Sequence, residues 1–332
     1  MGEPYSYGRQ TVHYFDRPHE AVPTTPVGGA AAWRGVELAA GGDWHVRLDD
    51  AEIDELLEAT ACATASGRPI AELTLADFPL QGMQRRIDAW RRELGSGRGF
   101  VLVSGVPVER LSRDEVERLF WCLGLHMGHP GAQNSFGDTL GHVVDTGEDG
   151  SDPFVRLYRT SSDIAYHCDA ADVVALLCLN PAKQGGASRI VSSVAVFDEL
   201  MRRRSDLCER LFDPFRLDIR DANDHDLHFI EVPPCRFSEG TLRTFYHSDY
   251  FRSVVRHEEV PPFSDEELEL MDLYETIAND PAFHLDMQLS RGDIQWVSNH
   301  VILHARTGYE DFEEPDRKRH LLRLWLSLEA RS

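Results

Sequence analysis

The stretch that most constrains this chain begins Ala165-Tyr166-His167-Cys168-Asp169 and continues into the apolar run Val173-Val174-Ala175-Leu176-Leu177-Cys178-Leu179. In an extended strand successive side chains alternate faces, so His167 and Asp169 point the same way and can clasp one ion, while Cys168 turns to the opposite face. Two ligands hold a metal poorly. A third is available downstream, in the segment from Gly292-Asp293 through Asn299-His300 to His304-Ala305-Arg306-Thr307. His300 and His304 share a strand parity, so alternation does not choose between them. Two imidazoles and one carboxylate on one side of an ion leave the other side open, the arrangement of non-haem iron oxygenases. The same residue types could also hold zinc or another divalent ion for hydrolysis.

The chain has 332 residues, 42% hydrophobic and 27% charged, enough to bury a large core in one elaborate domain. Acidic residues number 56 against 34 basic ones, a balance of −22, which repels a phosphate backbone and argues against nucleic acid as a partner. No apolar run reaches membrane-spanning length and no signal segment opens the chain, so a soluble, cytoplasmic protein without membrane contact is expected. Six scattered cysteines without a CxxC pair read as reduced thiols. Homo-oligomerisation is left open.

Residues 1 to about 45 show no sustained period and read as an irregular arm. Helices are expected at the surface over Ala51 to Ala63, after the acidic cap Asp49-Asp50, and over Leu80 to Leu94. Gly99 to Val106 reads as a buried strand, and Ser112-Arg113-Asp114-Glu115 opens a helix with the S-x-x-E cap. His126 to Gly150, rich in Gly, Asp and Asn, reads as loop, and its histidines lack ligand spacing. A strand is expected over Phe154 to Tyr158, a glycine turn at Gly185-Gly186 before another strand, and a helix from Ser193 to Arg204. The polar tract Asp218 to His228, with His225 and His228, reads as solvated loop. Ser264-Asp265-Glu266-Glu267 caps a helix to Asn279, and strands follow over His284 to Leu289, Ile294 to His304 and Arg319 to Leu328. Short, unevenly spaced strands without a βαβ rhythm favour a mainly β fold with added helices, a sandwich or jelly roll.

Four motifs in order, His167-x-Asp169, Gly185-Gly186-x-Ser188, Gly292-Asp293 to His304-Ala305-Arg306-Thr307, and Arg319-x-x-x-Arg323, resemble those of the taurine dioxygenase family of Fe(II)/2-oxoglutarate-dependent oxygenases. The resemblance spans roughly Gly99 to Ser327. It implies a double-stranded β-helix, a clavaminate synthase-like jelly roll, over residues 99–332, with an arm and helices over 1–98 packed on it as one unit. It implies iron ligands His167, Asp169 and His304, the last chosen because the family's ligand directly precedes a small residue and then Arg. It further implies Fe(II) with the cosubstrates 2-oxoglutarate and O2, Arg319 and Ser188 on the distal carboxylate of 2-oxoglutarate, and Arg323 bracing that cosubstrate or meeting an anionic group of the substrate. A guanidinium suits a carboxylate, since it forks onto both oxygens. Apolar residues on both faces of Leu321 to Leu328 imply a strand buried on both sides, where an unpaired guanidinium is costly.

The expected activity is hydroxylation of a small, anionic molecule, an amino acid or another carboxylate, with succinate and CO2 as coproducts. Desaturation or cyclisation in natural-product biosynthesis would use the same ligands. Halogenation is disfavoured, because Asp169 occupies the position that halogenating relatives leave to a small residue. Tyr158, Asn134, Tyr246 and His247 are candidates for the substrate pocket. A jelly-roll binding protein without turnover is the third class; it would more naturally have lost a ligand or the arginine, and all are present.

Overall fold

The computed structural model describes residues 3–150, 152, 154–220 and 228–328. Among these, the main sheet runs in the order His45–Arg47, Phe100–Ser104, Ile294–Ser298, Val173–Asn180, His320–Ser327 and His129–Gly131, with Leu140–Val143 also on His320–Ser327. A second sheet orders His284–Met287, Ser188–Ser192, Ile302–Arg306 and Ile164–His167. The pairings are antiparallel except that of His45–Arg47 with Phe100–Ser104. That first strand extends the main sheet from within the N-terminal region.

The two sheets share one buried layer. Phe100, Leu102, Val174, Cys178, Val297, Leu321 and Trp325 of the main sheet meet Ile190, Leu285, Met287 and Ile302 of the second. The alternate residues of the main sheet, among them Val101, Val173, Ala175, Leu177, Trp296 and Leu322, turn outward under the helices Asp50–Ala65, Gln84–Ser96 and Arg113–Met127. Both faces are therefore buried, which is why Val173 to Leu179 is apolar without alternation. Helices Ser193–Arg203 and Asp265–Ala278 cover the outside of the second sheet through Phe197, Leu200 and Tyr274.

Capping boxes open three of these helices, at Asp49 with Glu52, Ser112 with Glu115 and Ser264 with Glu267. The two helices expected at the surface bury a face each, Leu56 and Ala63 in one, Ile87, Trp90 and Leu94 in the other. None of the six cysteines forms a disulfide. Cys168 lies in the outer core, away from its neighbours' face, and burial pushes its thiol up to about 12. No helix among the described residues is long and apolar enough to cross a membrane.

Several expectations are corrected. The N-terminal arm contains the helix Tyr7–Phe15, whose buried residues are Gln10 and Tyr14, so it carries no aliphatic period. Gln10 Oε1 accepts from the Ser327 hydroxyl at 3.0 Å, and the Tyr14 hydroxyl donates to the Asn299 carbonyl at 2.9 Å. The tract read as loop supplies strands His129–Gly131 and Leu140–Val143, held by the ladder of His320–Ser327 despite their Gly and Pro content. Phe154 to Tyr158 forms no strand, and a 3-10 turn spans Leu157–Arg159. Asp218 is not solvated: it ends the strand Phe215–Asp218 and is buried, whereas His228 is exposed and His225 lies outside the described residues. Two hairpins, Phe215–Asp218 with Phe229–Val232 and Cys235–Ser238 with Thr241–Thr244, were not foreseen.

The most consequential correction concerns the two ligand-bearing segments. Ile294 to His304 is not one strand; it breaks at Asn299 and passes from the main sheet to the second. The His167 segment likewise leaves the second sheet after His167 and enters the main sheet at Val173. Asn299 joins the two crossings: its Oδ1 accepts from Asp169 N at 3.2 Å, its Nδ2 donates to Ala171 O at 2.9 Å, and its N–H donates to Asp172 O at 2.9 Å.

Asp172 completes the joint. Its carboxylate accepts from His300 Nε2 at 2.8 Å, His13 Nε2 at 3.0 Å, the Leu328 N–H at 2.7 Å and the Arg17 guanidinium. Burial alone would raise its pKa, but the bonds from His13 and His300 and the charge of Arg17 outweigh burial and hold it well below the usual carboxylate range. A folded-state pKa below the unfolded one makes this contribution complete above about pH 4 and lost as the pH falls below it. Asp172→Asn should therefore cost about 3 kcal/mol in urea unfolding at pH 7. The gap between variant and wild type should narrow as the pH is lowered from about 4; a gap independent of pH would show that the carboxylate charge is not what binds the two ends.

Candidate metal centre and active site

His167 closes its strand and sits opposite His304 in the ladder of the second sheet, with ring centroids 4.2 Å apart. Asp169 lies beyond the strand end, on the crossing that Asn299 holds, and its Oδ2 is 3.7 Å from His304 Nε2. One ligand atom from each of the three falls within 4.8 Å of the others. His167 Nδ1 donates to the Ala165 carbonyl at 2.9 Å, which leaves Nε2 as its free lone pair. Burial and then the neighbouring His167 lower the pKa of His304 to about 3, so its imidazole is neutral at physiological pH.

Asp169 is kept ionised. Burial opposes its charge, but Arg323, the two histidines and the bond from Trp325 Nε1 at 3.0 Å lower its pKa. Two imidazoles and a carboxylate, all buried to a similar degree, form a donor set for a divalent ion. His300, which shares a parity with His304 on paper, is removed by the break at Asn299: its Nε2 is spent on Asp172 and its ring stacks on Tyr14 at 4.7 Å.

Two buried arginines, one from each sheet's side, converge on the Tyr309 ring. Arg306 is two residues beyond His304 and pairs across the ladder with Ser188. Its Nη2 donates to the Thr160 carbonyl at 2.8 Å and to that of Ser162, while Nε and Nη1 have no partner among the described residues. Arg319 is 5% exposed, and its Nη1 likewise lacks a partner. Both guanidinium carbons lie over the Tyr309 ring, at 4.9 and 5.0 Å. Burial, then the nearby Arg319, lowers the pKa of Arg306 to about 10, and burial lowers that of Arg319. Among the described residues no ion pair joins either guanidinium to a carboxylate, so the two buried cations repel without a counter-charge there.

The glycine turn packs closely against Arg319. Gly185 and Gly186 both have left-handed φ, 75° and 69°, and a Cβ on Gly186 would stand 3.2 Å from Arg319 Nε. Ser188 is buried and donates its hydroxyl to Gln295 Oε1 at 2.8 Å, leaving the oxygen able to accept one further bond.

Arg323 sits closer to the metal ligands. Its Nη1 is 3.9 Å from Asp169 Oδ2, its Nε donates to Gln133 Oε1 at 2.6 Å, and its Cζ is 4.7 Å from the centre of the Tyr158 ring. Arg323 thus has an internal counter-charge in Asp169. Tyr158 is brought to the site, and His247 also, with its ring 5.1 Å from that of His167. Asn134 and Tyr246 are not. The Asn134 amide is bonded to Asp138 in its own turn, and Tyr246 is core, its ring 4.7 Å from Tyr274 and its hydroxyl donating to Glu275 Oε1 at 2.9 Å. The neighbour Gln133, rather than Asn134, reaches Arg323.

A cavity of about 610 Å³ runs along the edge strand Ile164–His167, bounded by Leu157, Ala165, Arg220, Glu275 and Arg306. The three ligands are not part of its lining; the cavity approaches the centre from the side of Ala165 and Arg306. Sequence reasoning overlooked Arg306, Trp325 and Asn299 as parts of the site. The signal for Arg306 was its place at the second position after His304, on the same strand face.

The chain is similar to known proteins in sequence and in fold. FR-33289 synthase of Streptomyces rubellomurinus (strain ATCC 31215) is 30% identical to the chain, over 92% of this chain and 91% of its own length. Uridine-5'-phosphate dioxygenase of Amycolatopsis sp. is 26% identical over 60% of this chain and 75% of its own. The fold is that of asparagine oxygenase, solved in complex with Fe(II), 2S,3S-3-hydroxyasparagine and succinate: the TM-score is 0.69 at 17% identity, over 86% of this chain and 93% of that one. Residues 66–325 match the sequence profile of the taurine catabolism dioxygenase TauD, TfdA family, and the chain belongs to that family of dioxygenases.

Proposed function

We propose that His167, Asp169 and His304 hold Fe(II), that Arg319 and Arg306 with Ser188 receive the distal carboxylate of 2-oxoglutarate, and that the enzyme hydroxylates a small anionic molecule. The observation that carries this reading is the buried Arg306 and Arg319 pair, with Arg306 two residues beyond His304. Two buried cations with N–H groups that lack a partner among the described residues fit an acid supplied from outside, and two imidazoles with one ionised carboxylate fit a divalent ion. Bound there, Fe(II) and 2-oxoglutarate supply the activation of O2 for attack on a C–H bond, with succinate and CO2 as coproducts.

The chain's own residues position and enclose. Arg323 and Trp325 keep Asp169 ionised and aimed at the histidines, and Ala165 O fixes the tautomer of His167. The apolar layer between the sheets keeps water from the inner side. We read these facing sheets as the double-stranded β-helix core of residues 99–332, with residues 1–98 packed on it. The relatives are named for, or hold, molecules of the expected kind: a hydroxylated amino acid in asparagine oxygenase and a nucleotide in uridine-5'-phosphate dioxygenase, both bearing an oxyanion.

Anaerobic titration should show one Fe(II) per chain, and adding 2-oxoglutarate should produce the weak visible band of a chelated 2-oxo acid. His304→Ala should lose metal and band together, whereas His300→Ala should keep both. The reverse result would assign the ligand to His300. Arg319→Ala should raise the KM for 2-oxoglutarate roughly 30-fold, the loss of one charge-assisted pair in a buried site, and leave that for the primary substrate much less changed. An unaltered dependence on 2-oxoglutarate would take Arg319 out of the site.

A further inference from the structure

On the far side of His247 from His167 the chain gathers cations that the reading above does not use. The Tyr250 ring stacks on His247 at 3.7 Å, and Arg156 Nη1 donates to the Tyr250 hydroxyl at 3.1 Å. The Arg220 guanidinium sits over the same ring, its Cζ 4.5 Å from the centroid. Arg220 is oriented by a bond from Nη2 to the Asp249 carbonyl at 3.2 Å, and its Nε is buried without a hydrogen-bond partner among the described residues.

Among the described residues these charges outnumber the carboxylates that face them. Among the described residues no ion pair joins Arg156 to a carboxylate; its polar surroundings are the phenols of Tyr250, Tyr7 and Tyr158. Arg220 comes only within 3.8 Å of Asp218, whose carboxylate is already matched by Arg256 at 2.8 Å and also takes bonds from Ser253 and His257. Glu275, across the adjoining cavity, is paired with Arg252. His247 adds no charge: burial, then the nearby His167, holds its pKa well below the usual range. Phenols are neutral at physiological pH and cannot offset a guanidinium. A cation held in this way lacks its counter-ion.

We propose that Arg156 and Arg220, with the Tyr250 hydroxyl beside Arg156, bind the anionic end of the primary substrate, and that this end is a phosphoryl-type dianion. The proposal rests on the reading above, since it places the substrate next to the metal ligands. Two guanidiniums from separate segments, one before the strand Ile164–His167 and one after Phe215–Asp218, match a doubly charged group with three oxygens. A planar carboxylate fills a single fork. The His247 ring touches both the His167 ring, at 5.1 Å, and the Tyr250 ring, at 3.7 Å, so the oxidised carbon is a few bonds from the anion and the substrate is small.

The test uses the whole protein, loaded anaerobically with Fe(II) and saturating 2-oxoglutarate so that the Arg306 and Arg319 pair is occupied. Inorganic phosphate, methyl phosphate, methylphosphonate and acetate are then titrated by calorimetry. The phosphoryl probes should saturate in the millimolar range and bind more tightly than acetate, and the tighter of the two methyl compounds separates an ester from a phosphonate. Arg156→Gln should weaken phosphate roughly 30-fold, with part of the loss recovered in Arg156→Lys. Tyr250→Phe, which keeps the ring, should weaken it a few-fold. The visible 2-oxoglutarate band reports separately on the metal centre: its absence in the wild type would defeat the proposed function, and its presence in Arg156→Gln shows an intact fold. With the band present, no saturation by phosphate, equal binding of acetate, or undiminished phosphate binding in both Arg156→Gln and Tyr250→Phe would overturn the proposal.

Discussion

The site depends on a single asparagine side chain. Asn299 sits where one ligand-bearing segment changes sheet, and its amide bonds to the place where the other does so. Without that joint His167 and His304 would still face each other across the ladder of the second sheet, but Asp169, already past the end of its strand, would lose the partner of its backbone N–H. A buried amide that satisfies both its donor and its acceptor on another loop is geometrically demanding, and for that reason specifies one arrangement of the two crossings. Trp325 and Arg323 then act on the carboxylate so placed.

The electrostatics of the interior oppose those of the whole. The chain carries a net charge of −22, yet the buried region around the ligands is cationic, with Arg306, Arg319 and Arg323 on the inner faces of the sheets and Arg156 and Arg220 beside His247. Such a separation keeps a small anion from being held at random on the outside and concentrates its binding free energy in the low-dielectric interior, where one guanidinium counts for far more. The glycine turn belongs to the same design, because a Cβ on Gly186 would press on Arg319 Nε and one on Gly185 would strike the Gly308 carbonyl.

Much of this was legible in the sequence where a residue's chemistry and its spacing agree. The H-x-D pair, the histidine before Ala305-Arg306, the Gly185-Gly186 turn and the apolar last strand are local patterns, and the structure gathers them about one centre. What escaped was long-range. Nothing near Asn299 marks a change of sheet, since Ile294 to His304 keeps a strand-like composition throughout. The helix Tyr7–Phe15 buries glutamine and tyrosine, so it leaves no hydrophobic period to read. Tyr246 and Asn134 look like pocket residues by type, and only packing against Tyr274 and a bond to Asp138 send them elsewhere.

The joint at Asp172 has a consequence for how the protein is made. Its carboxylate draws on His13 and Arg17 from the first helix and on the backbone of Leu328 just past the last strand, while Asp169 stands three residues before it. The loop that carries Asp169 is therefore satisfied only when both extremes of the described chain have docked. Contacts of such long sequence separation form late, because loop closure must precede them. Complete folding is a precondition for placing Asp169, because a chain still lacking its final strand pairs His167 with His304 in the second sheet but leaves the Asp169 carboxylate without Trp325 and Arg323.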